Sequence, residues 1–556
     1  MSYEFTPNEF DEQRDLYKID FWPMNGVHSL PVWTPSYAWT WYHHWCPGAR
    51  WAAETMSLPN EKGFAAVHRD GVAYQSPLII TDENEKKQRQ AAFKEKITPW
   101  IEDYDQEWGK IVSEMNGYYA KLDPVNVSGL SNIGLWDHFE DIINLNWRMV
   151  QLHFIAMYSA YCIITLFEDM CRKLVGIDDT DPLFLKAITG AETELQKTDR
   201  MLWQLSHLVR DLGLAEIFRN SPDDQVLAKL TESEAGQQWL KLFDEFLKAR
   251  GWRIPRFTEF AWKTSAPWIE DPTPAITHIK QFLDKGGSFS LDEEFASLSR
   301  DRAEATKEIL RRVPEDQRDW FTKLLSVAQK ANAFGPDHNH SLDHHTTGLY
   351  RRVYLEIGRR FAKGGAIDEV DDIFFLVPDD IRIAILVPEL YNFRHIVERR
   401  KQQREENSKK EYLPIFGRKG FEEAAPLIMQ EVILNKIVVG AMPHVKPELK
   451  ADLFGVCGSP GEIEGIARVI FSPDEFSQVQ PGDILVTPTT YSSWTPLFSI
   501  ISGVVTDRGG SMCHAAIVGR EVGIPVILNT FEGTAKIKSG QRIRVNADLG
   551  TVHILE

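Results

Sequence analysis

Cysteine is scarce in this sequence: five residues in 556, spread from Cys46 to Cys513, with no Cys-x-x-Cys pair. That excludes a disulfide framework and argues against structural zinc, so no metal site is expected. The opening "MSYEFTPNEFDEQRD" is acidic and lacks the apolar stretch of a secretory leader. Uncharged runs of the ~18 residues that cross a membrane are absent too; the most apolar segment, Phe154 to Phe167, is short enough for a buried helix. These absences predict a cytoplasmic protein with no membrane partner. Positive charge is also in deficit, with 62 Lys and Arg against 80 Asp and Glu and a formal net charge of −18, which argues against a nucleic-acid partner.

Hydrophobic residues make up 43% of the chain, enough at this length to bury several cores. Residues 1–85 are aromatic and punctuated by Pro and Gly, which predicts an irregular segment with a few strands, packed on a helical domain. Residues 86–440 are dominated by amphipathic patterns such as "NEKKQRQAAFKEKITPWIEDYDQEWGKIVSEMNGYYAKL" and "SRDRAEATKEILRRV", which predict that mainly helical domain. Composition shifts at residues 441–457, read as a hinge. Short β runs then alternate with glycine-rich turns over residues 458–556 ("IARVIF", "DILVTP", "GVVTD", "IPVIL", "QRIRVNA", "TVHIL"). The fold class is therefore multidomain α+β, a helical domain followed by a compact unit of strands and short helices.

Within that unit "TDRGGSMCHAAIVGREVGIPVI" carries the chemistry. A Gly-Gly turn precedes His514, and "AAIVGRE" has helical spacing before Gly523 can end it. His514 is thus placed in the first turn, where unpaired N–H groups and the helix dipole favour an anion. An imidazole there suits a nucleophile that accepts a phosphoryl group.

From about Gly455 onward the sequence resembles the swivelling phosphohistidine domain of the phosphoenolpyruvate-utilising enzymes. "GSPGEIEGIARVI" matches that domain's entry, "GDILVTPTTYSSWTPLF" its central strand and loop, and "GVVTDRGGSMCHAAIVGREVGIPVI" its phosphohistidine signature. The loop after Thr490 departs from the family, reading "YSSW" where an acidic residue and a proline are common. The resemblance implies a β/β/α swivelling domain with His514 as the phosphorylated residue and Thr506, Gly509, Gly510, Ser511 and Arg520 as phosphate-binding.

In that family an ATP-grasp domain phosphorylates the carrier. No such pattern and no G-x-x-x-x-G-K-[ST] loop occurs in these 556 residues, so ATP and Mg²⁺ are expected on a partner ATP-grasp subunit. No pyruvate barrel is expected after the carrier region, so pyruvate is not the expected acceptor. The order of domains resembles rifampicin phosphotransferase without its nucleotide domain, and the carrier-bearing subunit of phenylphosphate synthase. This implies transfer to a phenolic hydroxyl bound in the helical domain, with AMP and phosphate released. A carrier that passes the group to another protein, or to a non-aromatic hydroxyl, is the alternative.

For the acceptor side the densest constellation is "GPDHNHSLDHHTTGLYRRVYLEIGRRF". Its imidazoles and carboxylates suit a general base with an orienting group, and His338, His340, Asp343 and His344 are the candidates. Arg351 is the candidate clamp for the transferring group. The same cluster could instead hold a divalent metal or form a solvated capping loop. Arg253, in "RGWRIPRF", is a further phosphate-contact candidate, from the resemblance. Six tryptophans between Trp22 and Trp51 suit an aromatic acceptor, or equally the packing of the N-terminal segment.

Overall fold

The structure is a computed structural model and describes residues 22–25, 32–189, 192–254, 266–286, 290–410, 412–413, 415–417, 443, 448–471, 473–490 and 494–555. The start of the expected hinge, residues 441–447 apart from Pro443, lies outside them. So do the "YSS" of the departing loop and the end of "RGWRIPRF". The chain divides into two compact units, Met1–Ser159 with Arg256–Ser265 and Ser341–Asn435, and Ala160–Pro255 with Ala266–His340 and Lys436–Glu556. Their boundary falls within the 43-residue helix Asn132–Leu174. That helix is long and apolar enough to cross a membrane by composition, yet 78% of its most apolar window is buried within the protein, as in a core helix.

Among the described residues the first unit carries four strands. β1 (Trp22–Pro23) pairs antiparallel with β4 (Ile415–Phe416), and β2 (Glu61–Arg69) with β3 (Val72–Ile79). The β2–β3 turn is Asp70-Gly71, both at positive φ, the geometry a two-residue hairpin demands. The aromatic segment packs against itself. Trp33 meets Tyr37 at 4.9 Å and Trp41 at 5.1 Å and stacks on His68 at 5.9 Å, while Trp41 stacks on Trp45 at 5.5 Å. Helices Glu83–Glu102 and Tyr104–Leu122 match the amphipathic patterns, each started by an aspartate, Asp82 or Asp103, that accepts from backbone N–H groups.

The second unit combines a helical part with the strand-rich region. Helix Glu194–Asp211 opens on a capping box of Thr193 and Gln196. Its Leu202, Leu205 and Val209 pack with Trp239, Phe243 and Phe246 of helix Glu234–Arg250 and Ile276 and Ile279 of helix Thr273–Asp284. Those spacings of three and four residues form one apolar stripe per helix.

The remaining strands are β5 (Leu453–Phe454), β6 (Val456–Ser459), β7 (Glu462–Val469), β8 (Ile484–Thr487), β9 (Gly503–Thr506), β10 (Val526–Leu528), β11 (Arg542–Asn546) and β12 (Thr551–Ile554). They form one sheet in the order β5-β12-β11-β7-β8-β9-β10-β6, with β7 to β10 parallel. The parallel strands β8, β9 and β10 are buried along their whole length, which explains their unbroken apolar runs. Parallel neighbours need a crossover, and between β9 and β10 that crossover is the helix His514–Val522. The expected mainly helical region followed by a C-terminal β-sheet domain is what the fold contains.

Candidate phosphohistidine site

Strand β9 ends at Thr506 and the chain turns through Gly509 before the helix begins at His514. Gly509 has φ +133°, and a Cβ there would come within 2.8 Å of Cys513 Sγ, so only glycine fits. Its N–H donates to Asn529 Oδ1 at 2.9 Å. Cys513 is the extended residue before the helix, His514 its first residue, and Gly523 ends it at φ +73°. The histidine therefore stands at the carboxyl end of a parallel strand and on a helix N-terminus, the place where open α/β sheets bind ligands.

The His514 Nδ1 lies 2.9 Å from Thr490 Oγ1, and the ring meets Phe498 edge-on at 5.7 Å. Burial pushes its pKa down to about 3, and the positive charge of nearby Arg253 adds to the effect. The imidazole is thereby neutral across the physiological range, as a nucleophile must be. Thr490 Oγ1 can donate or accept in this contact; in the tautomer whose Nδ1–H donates to it, the lone pair is on Nε2.

The other signature residues build the frame. The Arg520 guanidinium is almost wholly buried and donates through Nη1 to the carbonyls of Gly458, at 2.8 Å, and Ser511, at 2.9 Å. It ties β6 and the turn to the His514 helix. Gly510 accepts the N–H of Cys513 through its carbonyl, and Ser511 Oγ donates to Asp179 Oδ2 at 2.8 Å. The Thr506 hydroxyl is fully buried with no hydrogen-bond partner among the described residues.

Arg253 lies over the Trp268 ring, its Cζ 4.8 Å from the centroid. Burial lowers its pKa and Asp199 opposes this. Asp199 itself is pushed up to about 6 by burial, against the pull of Arg253 and Lys285. His278, on the helix Thr273–Asp284, meets Trp268 edge-on at 5.9 Å and is pushed down to about 3 by burial and then by Arg253. Neither Asp199 nor His278 stands out in the sequence, where each is a single polar residue in an ordinary amphipathic helix.

The histidine-rich stretch divides between the two units, with His338 and His340 in the second and Asp343 and His344 in the first. In the second unit, His338 Nδ1 lies 2.7 Å from the Phe334 carbonyl, which can only accept, so Nδ1 carries the proton and Nε2 the lone pair. His340 Nε2 sits 2.9 Å from Arg250 Nη1, which can only donate, so that lone pair is engaged; Arg250 also bonds Glu194. In the first unit, Asp343 Oδ1 lies 3.2 Å from Nδ1 of His153, a residue hidden in the apolar run, and Trp45 meets His153 edge-on at 5.0 Å. His344 and Arg351 are buried on the helix His344–Gly364. Arg352 and Arg360 donate to backbone carbonyls at residues 122–130, a helix-capping role.

One further buried group was not legible in the sequence. Glu521, two turns beyond His514, is 1% exposed, and burial pushes it up to about 8 with help from Asp337. Asp337 is pushed up to about 7, by burial first, though it accepts the Glu194 N–H at 2.7 Å.

Two stretches match known families. Residues 148–334 match the rifampicin phosphotransferase fourth domain, and residues 479–550 the mobile domain of PEP-utilising enzymes. The uncharacterized phosphotransferase YvkC of Bacillus subtilis (strain 168) is 27% identical over 444 residues, 79% of this chain and 51% of that protein. A rifampicin phosphotransferase of Bacillus cereus is 27% identical over 364 residues, 62% of this chain and 39% of that protein. A probable phosphoenolpyruvate synthase of Archaeoglobus fulgidus is 42% identical over 106 residues, 19% of this chain and 14% of that protein. The chain spans about half or less of the length of these curated relatives. It is thus similar, over two separate stretches, to phosphotransferases of the PEP-utilising kind, and the stretch that holds His514 is similar to their mobile domain.

Proposed function

We propose that this chain carries a phosphoryl group on His514 from ATP to the hydroxyl of a small aromatic acceptor. ATP and Mg²⁺ are bound on an ATP-grasp partner, and AMP and inorganic phosphate are the other products. The observation that carries the reading is the state of His514: a neutral imidazole on a helix N-terminus, held by Thr490 through Nδ1, beside the Arg253 cation.

The chemistry follows from that arrangement. The Nε2 lone pair attacks phosphorus as the phosphorus–oxygen bond to AMP breaks, water takes the remaining phosphoryl group as inorganic phosphate, and Thr490 Oγ1 keeps the proton on Nδ1, so the phosphorylated ring is cationic and balances part of the phosphoryl charge. In the second transfer the acceptor oxygen attacks, the phosphorus–Nε2 bond breaks, and the electron pair returns to Nε2 as neutral imidazole leaves. Splitting the reaction this way lets two chemically different sites share one group. Arg253 faces the position of developing charge and clamps the phosphoryl oxygens.

Incubation with the partner and labelled ATP tests the reading. Acid-labile, base-stable label should appear on the chain and vanish in His514→Ala, together with acceptor phosphorylation. A His514→Ala chain that still turns over acceptor near the wild-type rate refutes it.

A further inference from the structure

Resting on that reading, the surroundings of Arg253 specify where the acceptor binds. Leu195, one helical turn before Asp199, belongs to the same apolar cluster as Trp494, Phe498 and Ala515 of the strand-rich part. Residues four apart share a helix face, so Asp199 lies on the side of helix Glu194–Asp211 that meets the His514 region. On the helix Thr273–Asp284, Gln281 Oε1 accepts from Ser499 Oγ at 3.4 Å, next to Phe498, whose ring flanks His514. His278, three residues earlier, shares that face. Arg253 lies over the ring of Trp268, which His278 also meets, and its charge acts on His514, His278 and Asp199 alike.

Three features of this group call for a ligand. His278 is 4% exposed, and its Nε2 has no hydrogen-bond partner among the described residues. Asp199 and Arg253 influence one another's charge without forming an ion pair among the described residues. Trp268 supplies a flat apolar surface against Arg253 and His278, and Phe498 one against His514. An unpartnered buried imidazole, an unpaired carboxylate and an arginine beside a nucleophilic histidine have the composition of a small-molecule subsite.

We propose that Asp199, Arg253 and His278 form the acceptor subsite opposite His514, with Asp199 as the general base and an aromatic hydroxyl compound as the occupant. The acceptor O–H bond breaks and its proton passes to the Asp199 carboxylate as the oxygen attacks phosphorus. The phosphorus–Nε2 bond breaks, Arg253 holds the phosphoryl oxygens, and His278 Nε2 bonds the acceptor. Proton and charge balance, because the carboxylate gains the proton that the acceptor loses and the ring leaves neutral.

The two half-reactions are measured apart, with full-length chain, its ATP-grasp partner, ATP and phenol as the probe. Asp199→Asn should charge with label as fast as wild type and discharge to phenol ~100-fold or more slowly, the scale of general-base loss. Asp199→Glu, which keeps a carboxylate, should recover part of the rate, and discharge by wild type should rise with pH around a midpoint near 6. His278→Gln should raise the phenol concentration needed for half-maximal discharge about tenfold while the rate at saturation holds. If wild type does not charge, the reading of His514 falls and the subsite with it. If wild type charges and Asp199→Asn discharges within threefold of it, the subsite alone is overturned. Equal losses in the Asn and Glu variants, or a wild-type discharge rate flat between pH 5 and 8, also overturn it.

Discussion

Replacing Glu521 by glutamine should make the protein more stable at neutral and alkaline pH, the reverse of what deleting a buried acidic group usually does. The side chain is 1% exposed, and Asp337 stands beside it with a second carboxyl. Arg520 and Arg302 offset only part of the burial. An ordinary glutamate loses its proton at 4.5, and Glu521 holds it to about 8. The native state therefore binds more protons than the unfolded chain between those values. The contribution is fully present below pH 4.5 and is lost as pH rises toward 8. At about 1.4 kcal/mol per pH unit, the native state is weaker by about 3 kcal/mol at pH 7 than at pH 4, and by about 4 kcal/mol at pH 8. Glutamine keeps the shape, carries no charge at any pH, and can donate to Asp337. Thermal melts of both proteins between pH 4 and 8 should converge at the acid end and diverge steadily above it, with the variant higher. Asp199 titrates in the same direction in both proteins, so the difference between the curves reports Glu521 together with its interaction with Asp337. Parallel curves, or a variant less stable at pH 8, refute the argument.

Three further outcomes follow from the site. Thr490→Val keeps the volume and removes the Nδ1 partner, so the charging rate of His514 should fall about tenfold, the cost of one hydrogen bond near 1.4 kcal/mol, with no change in the melt. Arg520→Met leaves the carbonyls of Gly458 and Ser511 buried and unpaired and should cost about 2–5 kcal/mol, read as a lower melting temperature of the second unit. Charging of wild-type His514 should show no acid limb near 6.5, since the ring stays neutral down to about 3, whereas Arg253→Gln should move that limb upward and slow discharge ~100-fold.

The His514 helix was legible because every determinant is local. Two glycines make the turn, a run with helical spacing comes next, and Gly523 adopts the left-handed conformation that ends it. The six β runs read from the sequence are strands β7 to β12, and the strands buried on both faces are the ones with continuous apolar stretches. Acceptor chemistry was not legible in the same way. The histidine-rich stretch draws the eye by density, but density does not say where lone pairs point. His340 has its Nε2 engaged by Arg250, and Arg352 and Arg360 donate to carbonyls at helix ends. Asp199 and His278 interrupt the apolar stripes of their amphipathic helices, a break that by itself names no chemistry, and Arg253 is singled out only by its place over Trp268 and its charge near His514.

A residue's charge state is set by what surrounds it in three dimensions, and that is why sequence pattern singled out His514 and not the groups proposed to serve it. A phosphohistidine must be neutral before it is charged and cationic afterwards, which requires a dry pocket with an anion-binding arginine. Here Arg253 and the burial of the ring supply both. The same dry surroundings raise Asp199 toward neutrality, giving a carboxylate basic enough to take a hydroxyl proton yet still ionised at pH 7. One desolvated setting thus pushes the imidazole down and the carboxyl up, in the directions that nucleophile and base respectively need.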